Sequence, residues 1–399
     1  MDQFTRLEMQ ALLGPRQGPC VSIFTTTQRG GSEDGLLRWK EQLHEAERQL
    51  RQLGPMAEVV ETILRPARQY LSAEKENFWR RTSDGLATFL APGFLRTYRL
   101  PARLADRVIV GQHFHIKPLL SWIGDNGKFF ILAVSQKQVR LLEATAHSVR
   151  AMTAPNLPAN MEEALRSHDR DEVLNYHTHH AGEGRGMEAV FHGQGVGIDD
   201  HKEELLRYFQ IIDRALKPVL NGSNAPLVLA TVEHQAAIYR RANHYPRLRD
   251  DFVRGNADRL SDRELQEHAW PLVAPLFHEP SERAVGRFEQ LAGTGRATTE
   301  LAQLLPALHR GEVETLLVAG GDAWGRYDPA SERCEQLPAY RPGAEELVNL
   351  AVVQALRRGR EVHVVGARES IGDAPLAGVY FAPMNKHGKT SRAKVSSAL

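Results

Sequence analysis

Phe129-Phe130-Ile131-Leu132-Ala133-Val134, then Ser135-Gln136-Lys137-Gln138, then Val139-Arg140-Leu141-Leu142 reads as two buried-type strands joined by a short polar turn, the pattern of a β-hairpin. A polar excursion follows, residues 167–197, rich in His, Asp and Gly and poor in apolar periodicity; it predicts a long loop projecting from the fold. After it, Leu205, Phe209, Ile212, Leu216 and Leu220 mark one face of a helix, which Asp200 would cap and Glu203 would complete as a capping box. Residues 226–231 read as another buried strand and residues 233–244 as a helix. This order predicts a mixed sheet with a protruding loop.

Outward from this segment the pattern changes on both sides. Upstream, Cys20-Val21-Ser22-Ile23-Phe24 is a short strand, and Leu36, Trp39, Leu43, Ala46 and Leu50 form the stripe of a long helix that Gly54-Pro55 stops. Residues 85–90 and 94–100 pair around Ala91-Pro92-Gly93, with a further strand at 107–110 and a polar turn at Gly124-Asp125-Asn126-Gly127. Downstream, a helical region over 261–291 is followed by the order helix, strand, helix, strand, whose first strand is at 313–318. A helix at 345–358 follows, with Glu345 and Glu346 near its start, Arg357 and Arg358 near its end and Gly359 as its stop. Strands at 362–365 and 378–381 complete a small α/β sandwich. The expected class is therefore α+β and α/β in three domains: 1–125, 126–270 carrying the loop, and 271–383, with 384–399 as a disordered basic tail.

Bulk properties narrow the functional classes. In 399 residues, Lys plus Arg number 50 against 49 Asp plus Glu, so no overall field draws the chain to nucleic acid and any such partner needs local basic patches. Candidate patches are Trp79-Arg80-Arg81, then Arg240 and Arg241 with Arg247, Arg249 and Arg254, and Arg357-Arg358-Arg360; Trp79 and Tyr245 could stack on bases beside them. The two cysteines, Cys20 and Cys334, are far apart and form no metal-ligand pair, which suits a reducing cytoplasm. No apolar run approaches the roughly 18 residues that span a bilayer, so no membrane partner is expected. No Walker-type loop, nucleophile elbow or dinucleotide fingerprint occurs, and no cofactor is implied.

The chemistry concentrates in the loop, at His192-Gly193-Gln194-Gly195. Glycine permits positive φ and close backbone approach to a partner, which leaves Gln194 as the presented side chain. Its neutral amide can orient a water molecule but is not basic enough to take the proton. Around it stand His168, His177, His179, His180 and His201 with Asp169, Asp171, Asp199 and Asp200, which opens an alternative reading as a metal-dependent hydrolase or nuclease. Their spacing matches neither His-Glu-x-x-His nor a zinc-finger pair.

The order of these elements, with Phe114-His115-Ile116-Lys117-Pro118-Leu119-Leu120, residues 129–142, Phe191-His192-Gly193-Gln194-Gly195, residues 226–230 and residues 311–318, resembles the archaeo-eukaryotic peptide-release-factor superfamily. It is most similar to the bacterial archaeo-eukaryotic release factor-like branch, over nearly all of residues 15–383. The resemblance implies a decoding-site domain, a middle domain with a Gly-Gly-Gln tip that helps water hydrolyse the peptidyl-tRNA ester, and a C-terminal domain similar to the ribosomal protein L7Ae. It also implies the ribosome, with its rRNA and tRNA, as partner, and a translational GTPase as a second one. Gly193 and Gln194 match the tip as its catalytic residues, while His192 and Gly195 flank them as RNA-facing residues. The chain departs from the pattern where His192 replaces the first glycine and where Asp199 and Asp200 replace an arginine-rich run. A β-carbon restricts positive φ, and the acids repel rRNA phosphate, so the departures favour A-site occupancy, in rescue or hibernation, over hydrolysis. Nothing like a lysine-rich decoding motif appears in residues 20–125, so stop-codon reading is not expected.

Overall fold

In the computed structural model, which describes residues 6–28, 33–72, 76–80, 82–122, 127–166, 196–366 and 371–383, α1 (Arg6–Leu13) leads into β1 (Cys20–Thr26). α2 (Glu33–Gln52), α3 (Ala57–Arg68) and α4 (Glu76–Arg80) follow, then β2 (Gly85–Ala91), β3 (Phe94–Leu100) and β4 (Arg107–Gly111). The strands form one antiparallel sheet in the order β3-β2-β1-β4. Val21 and Ile23 of β1 pack against Trp39, Leu43, Ala46 and Leu50 of α2, whereas Cys20 and Phe24 enter a second core on the other face. A strand covered on both faces has no polar alternation to keep, which is why it reads as one apolar run. Gly54, at φ +83°, turns the chain after α2 where a side chain would be strained.

The chain divides into two compact units, residues 125–277 and residues 1–124 with 278–399. The first contains β5 (Phe129–Val134), β6 (Val139–Ala144), β7 (Val149–Met152), α5 (Val196–Leu220), β8 (Leu227–Thr231), α6 (Glu233–Ala242) and β9 (Val253–Arg254), then enters α7 (Asp262–Leu291). Its sheet runs β7-β6-β5-β8-β9, with β5, β8 and β9 parallel and β5-β6-β7 antiparallel. Phe130, Leu132 and Val134 face Leu205, Phe209, Ile212, Leu216 and Leu220 of α5; Phe129, Ile131 and Ala133 face Leu265, Ala269 and Val273 of α7. The mixed sheet and the apolar face of α5 are as read from the sequence. The start of α5 is not: it begins at Val196, not beside a cap at Asp200. A side-chain cap is worth about 1 kcal/mol, too little to stop a helix that meets no proline in residues 196–200.

In the other unit, β10 (Ala297–Thr298) and α8 (Leu301–Arg310) precede β11 (Val313–Val318), β12 (Trp324–Asp328), β13 (Arg333–Leu337) and β14 (Glu345–Glu346). α9 (Leu347–Arg357), β15 (Glu361–Val364) and β16 (Leu376–Tyr380) complete it. The main sheet is β10-β16-β11-β15, and β13-β12-β14 form a small second one. Leu316 and Val318 pack against α8 and α9, while Leu317 meets Ala284, Val285 and Phe288 of α7, so helices cover both faces. The helix expected from Glu345 starts two residues later. Glu345 and Glu346 pair as β14, and the Glu346 carboxylate caps the helix by accepting from the N–H groups of Val348 (3.2 Å) and Asn349 (2.8 Å). The predicted tail, 384–399, lies outside the described residues.

Candidate functional site

The predicted tip, His192, Gly193, Gln194 and Gly195, lies outside the described residues, as do His168, His177, His179 and His180. Its two flanks are described, and both are tied to the β5–β6 turn. On the upstream side, Met161 N donates to the carbonyl of Gln136 and Val139 N to that of Ala159, each at 2.9 Å. On the downstream side, the His201 ring lies 3.1 Å from the Gln136 amide, and the Tyr208 hydroxyl donates to the carbonyl of Ser135 at 2.8 Å. Ser135 itself is held, because its hydroxyl donates to Asp258 at 2.9 Å and accepts from Lys137 N and Gln138 N at 3.0 Å. The turn sits at the carboxyl end of β5, beside the carboxyl end of β8, where Thr231 donates to the carbonyl of Val134 at 2.8 Å. Ligands of open α/β sheets gather outside the carboxyl ends of parallel strands, so the two described flanks meet at the edge such sites use.

Burial pushes the Tyr208 hydroxyl well above the usual phenol range, with the Asp258 charge adding to it, so the group is a permanent donor near neutrality. Tyr208→Phe is expected to cost about 1 kcal/mol in urea unfolding and to speed amide exchange in the first turns of α5. Unchanged exchange there would mean that the Tyr208–Ser135 bond does not hold the root. Among the described residues no group of three or more His, Cys, Asp and Glu side chains could hold a metal ion. His201, offered by the metal reading, instead faces Gln136 and lies 3.7 Å from Glu204.

The arginines of residues 240–254 come together around the end of α6 and the approach to β9. Arg240 and Arg254 stand over the same Phe252 ring, at 5.2 and 5.5 Å from its centre. Arg240 also donates to the Asp250 carbonyl, and Arg254 lies 3.4 Å from Glu233. Arg241 and Arg247 are exposed, while Arg249 is partly buried. The main chain between them is fixed by β8: Leu227 N donates to the Arg247 carbonyl and Arg249 N to the Leu227 carbonyl. Arg240 and Arg254 thus share one surface at Phe252, with Glu233 as its acidic neighbour.

The other two patches differ from expectation. Arg80 is exposed at the end of α4, and Arg81 lies outside the described residues. Trp79 is buried against Trp39, its indole N–H donating to the Tyr70 carbonyl at 2.7 Å, and is not a stacking platform. Tyr245 is equally engaged, donating to the carbonyls of Ser223 and Ala225. A bulky ring with one polar atom fills a core once that atom finds a carbonyl, and sequence does not reveal the carbonyl. Arg357 donates to the Leu13 carbonyl at 2.6 Å, Arg358 to that of His309 and Arg360 to that of Gly311 at 3.4 Å, so this cluster ties down the ends of α1 and α8.

Comparison with known proteins bears on the same segment. Residues 129–275 match the family model described as bacterial archaeo-eukaryotic release factor family 7. No curated protein matches the chain. Among solved structures it is similar to archaeal Pelota in the ribosome-bound archaeal Pelota and ABCE1 assembly, at 13% identity and a TM-score of 0.37 over 94% of this chain and 93% of that one. It is also similar to the archaeal translation termination factor aRF1, at 14% identity and a TM-score of 0.23, covering 94% and 96% of the two chains. Pelota of Archaeoglobus fulgidus is 10% identical with a TM-score of 0.27, covering 74% and 79%. The stretch that matches this family model holds both described flanks of segment 167–195 and the strands between which they lie.

Proposed function

We propose that the protein is a cytoplasmic, ribosome-associated translation factor of the release and rescue type, which presents residues 192–195 toward the peptidyl-transferase centre from the A site. The observation that carries this reading is the family match over the same residues in which both flanks of 167–195 are rooted on one turn. The two described flanks meet at one turn, and Gly193-Gln194 is the family-like element of the sequence between them. The basic surface of Arg240, Arg241, Arg247 and Arg249, together with Arg80 and Arg81, would meet rRNA phosphate. The L7Ae-like assignment of residues 271–383 and a translational GTPase as partner belong to the same proposal. His192 and the acids Asp199 and Asp200 favour occupancy over hydrolysis.

The test is co-sedimentation with ribosomes at low and moderate salt. Binding is expected at low salt and should weaken as salt rises, because phosphate contacts release counterions. Arg240→Glu with Arg241→Glu should weaken it further. Protein that stays in the top fraction at both salts would sink the proposal. In a peptide-release assay, the parent and Gln194→Ala are both expected near background while co-sedimenting equally; release that falls with Gln194→Ala would instead make the loop a hydrolytic tip.

A further inference from the structure

A cleft of about 500 Å³ opens where the end of β4 and the segment before β1 meet the entry to α9. Arg16, Arg357, His113 and Glu345 supply its polar wall, and Leu53 and Val110 part of its apolar wall. We propose that this cleft binds a phosphate monoester, with Arg16 and Arg357 holding the dianionic head and the apolar wall covering the organic group. The inference is independent of the ribosomal reading.

The charges in the cleft are incompletely matched. Arg357 donates to the carbonyls of Leu13 (2.6 Å) and Gly14 (3.5 Å); Arg16 donates to the Ala11 carbonyl and lies 3.9 Å over the Phe94 ring. Among the described residues neither guanidinium pairs with a carboxylate. Glu345, the acid on the wall, is 3.4 Å from His113 Nδ1. Burial works against the charge of Arg357, and the neighbour that favours it, Cys20, is a thiol that burial pushes up to about 11, hence neutral near pH 7. Arg16 is half-buried and Arg357 opens to solvent, and each guanidinium retains N–H donors in a fork that fits a phosphate. A phosphate monoester brings a charge of about −2 near neutral pH, opposite to that of the two arginines. The cleft volume falls in the range of small-ligand sites and exceeds what bare phosphate needs.

A second feature points into the same place. His113 and Glu345 also line an inner recess of about 20 Å³, large enough for one water, whose back wall includes His115. His115 is 1% exposed, and neither of its ring nitrogens has a hydrogen-bond partner among the described residues. A buried imidazole with both nitrogens open offers a donor and an acceptor to whatever extends inward from the cleft.

Calorimetric titration of the full chain with adenosine 5′-monophosphate, inorganic phosphate and adenosine tests this. Saturable binding of the monophosphate, weaker binding of phosphate and none of adenosine is the expected order. Arg16→Gln and Arg357→Gln should each weaken the monophosphate by about tenfold or more, the loss of a charge-assisted contact. Glu345→Gln should tighten it several-fold, a gain that poor folding cannot produce. No saturable heat from either anion below about 10 mM, or affinities that ignore all three substitutions, would overturn the proposal. Equal binding of phosphate and monophosphate would overturn its ester part.

Discussion

Asn349→Leu is expected to lower the free energy of unfolding by roughly 3–6 kcal/mol, read from the urea midpoint at constant slope. The buried Asn349 side chain accepts from the N–H groups of Ile116 (2.7 Å) and Lys117 (3.1 Å) and donates to the Phe114 carbonyl (3.0 Å). Leucine keeps the branched outline but is bulkier and apolar, so these main-chain groups lose their partner and some overpacking adds to the cost. The two fully buried groups, Ile116 N–H and the Phe114 carbonyl, cost about 1–3 kcal/mol each when stranded and the part-buried Lys117 N–H adds less, which sets the range. Asn349→Asp keeps the acceptor and should cost less. A loss below about 1 kcal/mol for leucine would mean that water or rearrangement satisfies the segment, and that α9 does not pin it.

That clamp shows where sequence reading reaches its limit. Residues 114–120 were legible as a motif of the resemblance, but their physical role depends on partners more than 200 residues away. Besides Asn349, Lys117 reaches Asp322 at 2.7 Å and Glu346 at 3.1 Å. Periodicity and spacing report local structure, and so β1, β5, β6, β8 and β11 and the apolar faces of α2 and α5 were readable. α8 is expected only as a helix ahead of the 313–318 strand, without bounds, although Leu301, Leu304, Leu305 and Leu308 are a helical stripe ending at Gly311, whose φ is +79°. That signal was present in the sequence. β12 and β13 were not readable in the same way: Trp324–Asp328 and Arg333–Leu337 are mostly polar, and their pairing supplies the order that composition does not.

The candidate site divides along the same line. The turn at 135–138 was read as a hairpin connection, but nothing in Ser135 or Gln136 announced that Met161, His201 and Tyr208 would converge on it. Basic residues posed the converse problem. Arg240 and Arg254 over Phe252, and Arg357 on a carbonyl, are equivalent as letters and differ only in what the fold puts beneath them. Capping carbonyls and stacking rings are properties of tertiary contact, so charge clusters in sequence mark candidates and the fold sorts them.

Between pH 6.5 and pH 4 the protein is expected to lose about 3 kcal/mol of stability through His115 alone. Burial, with the charges of Lys117 and Arg107 acting in the same direction, pushes its pKa down to about 3, against a small opposing effect of Asp322. The unfolded chain takes up this proton near pH 6.5 and the folded chain does not until about pH 3. Within that window the unfolded state binds more protons, so stability rises with pH and is lost as pH falls, by at most about 1.4 kcal/mol per unit. Carboxylates held low in the fold add a loss of the same sign below about pH 5, and they are common to both proteins of the comparison. Burial alone would raise Asp322, but hydrogen bonds from Arg107 and Lys117 outweigh it and hold the group well below the usual carboxylate range, so its contribution disappears only in stronger acid. His147, which burial also lowers, has the same sign as His115 and remains in both proteins of the comparison. The readout is therefore the difference in slope between the parent and His115→Phe, from urea titrations at half-unit steps. Phenylalanine sacrifices no hydrogen bond at the ring nitrogens, and any packing cost shifts its curve without tilting it. Parallel curves from pH 6.5 to pH 4 would mean that His115 gains a proton in the folded state, and that the recess behind His113 and Glu345 admits enough water to solvate it.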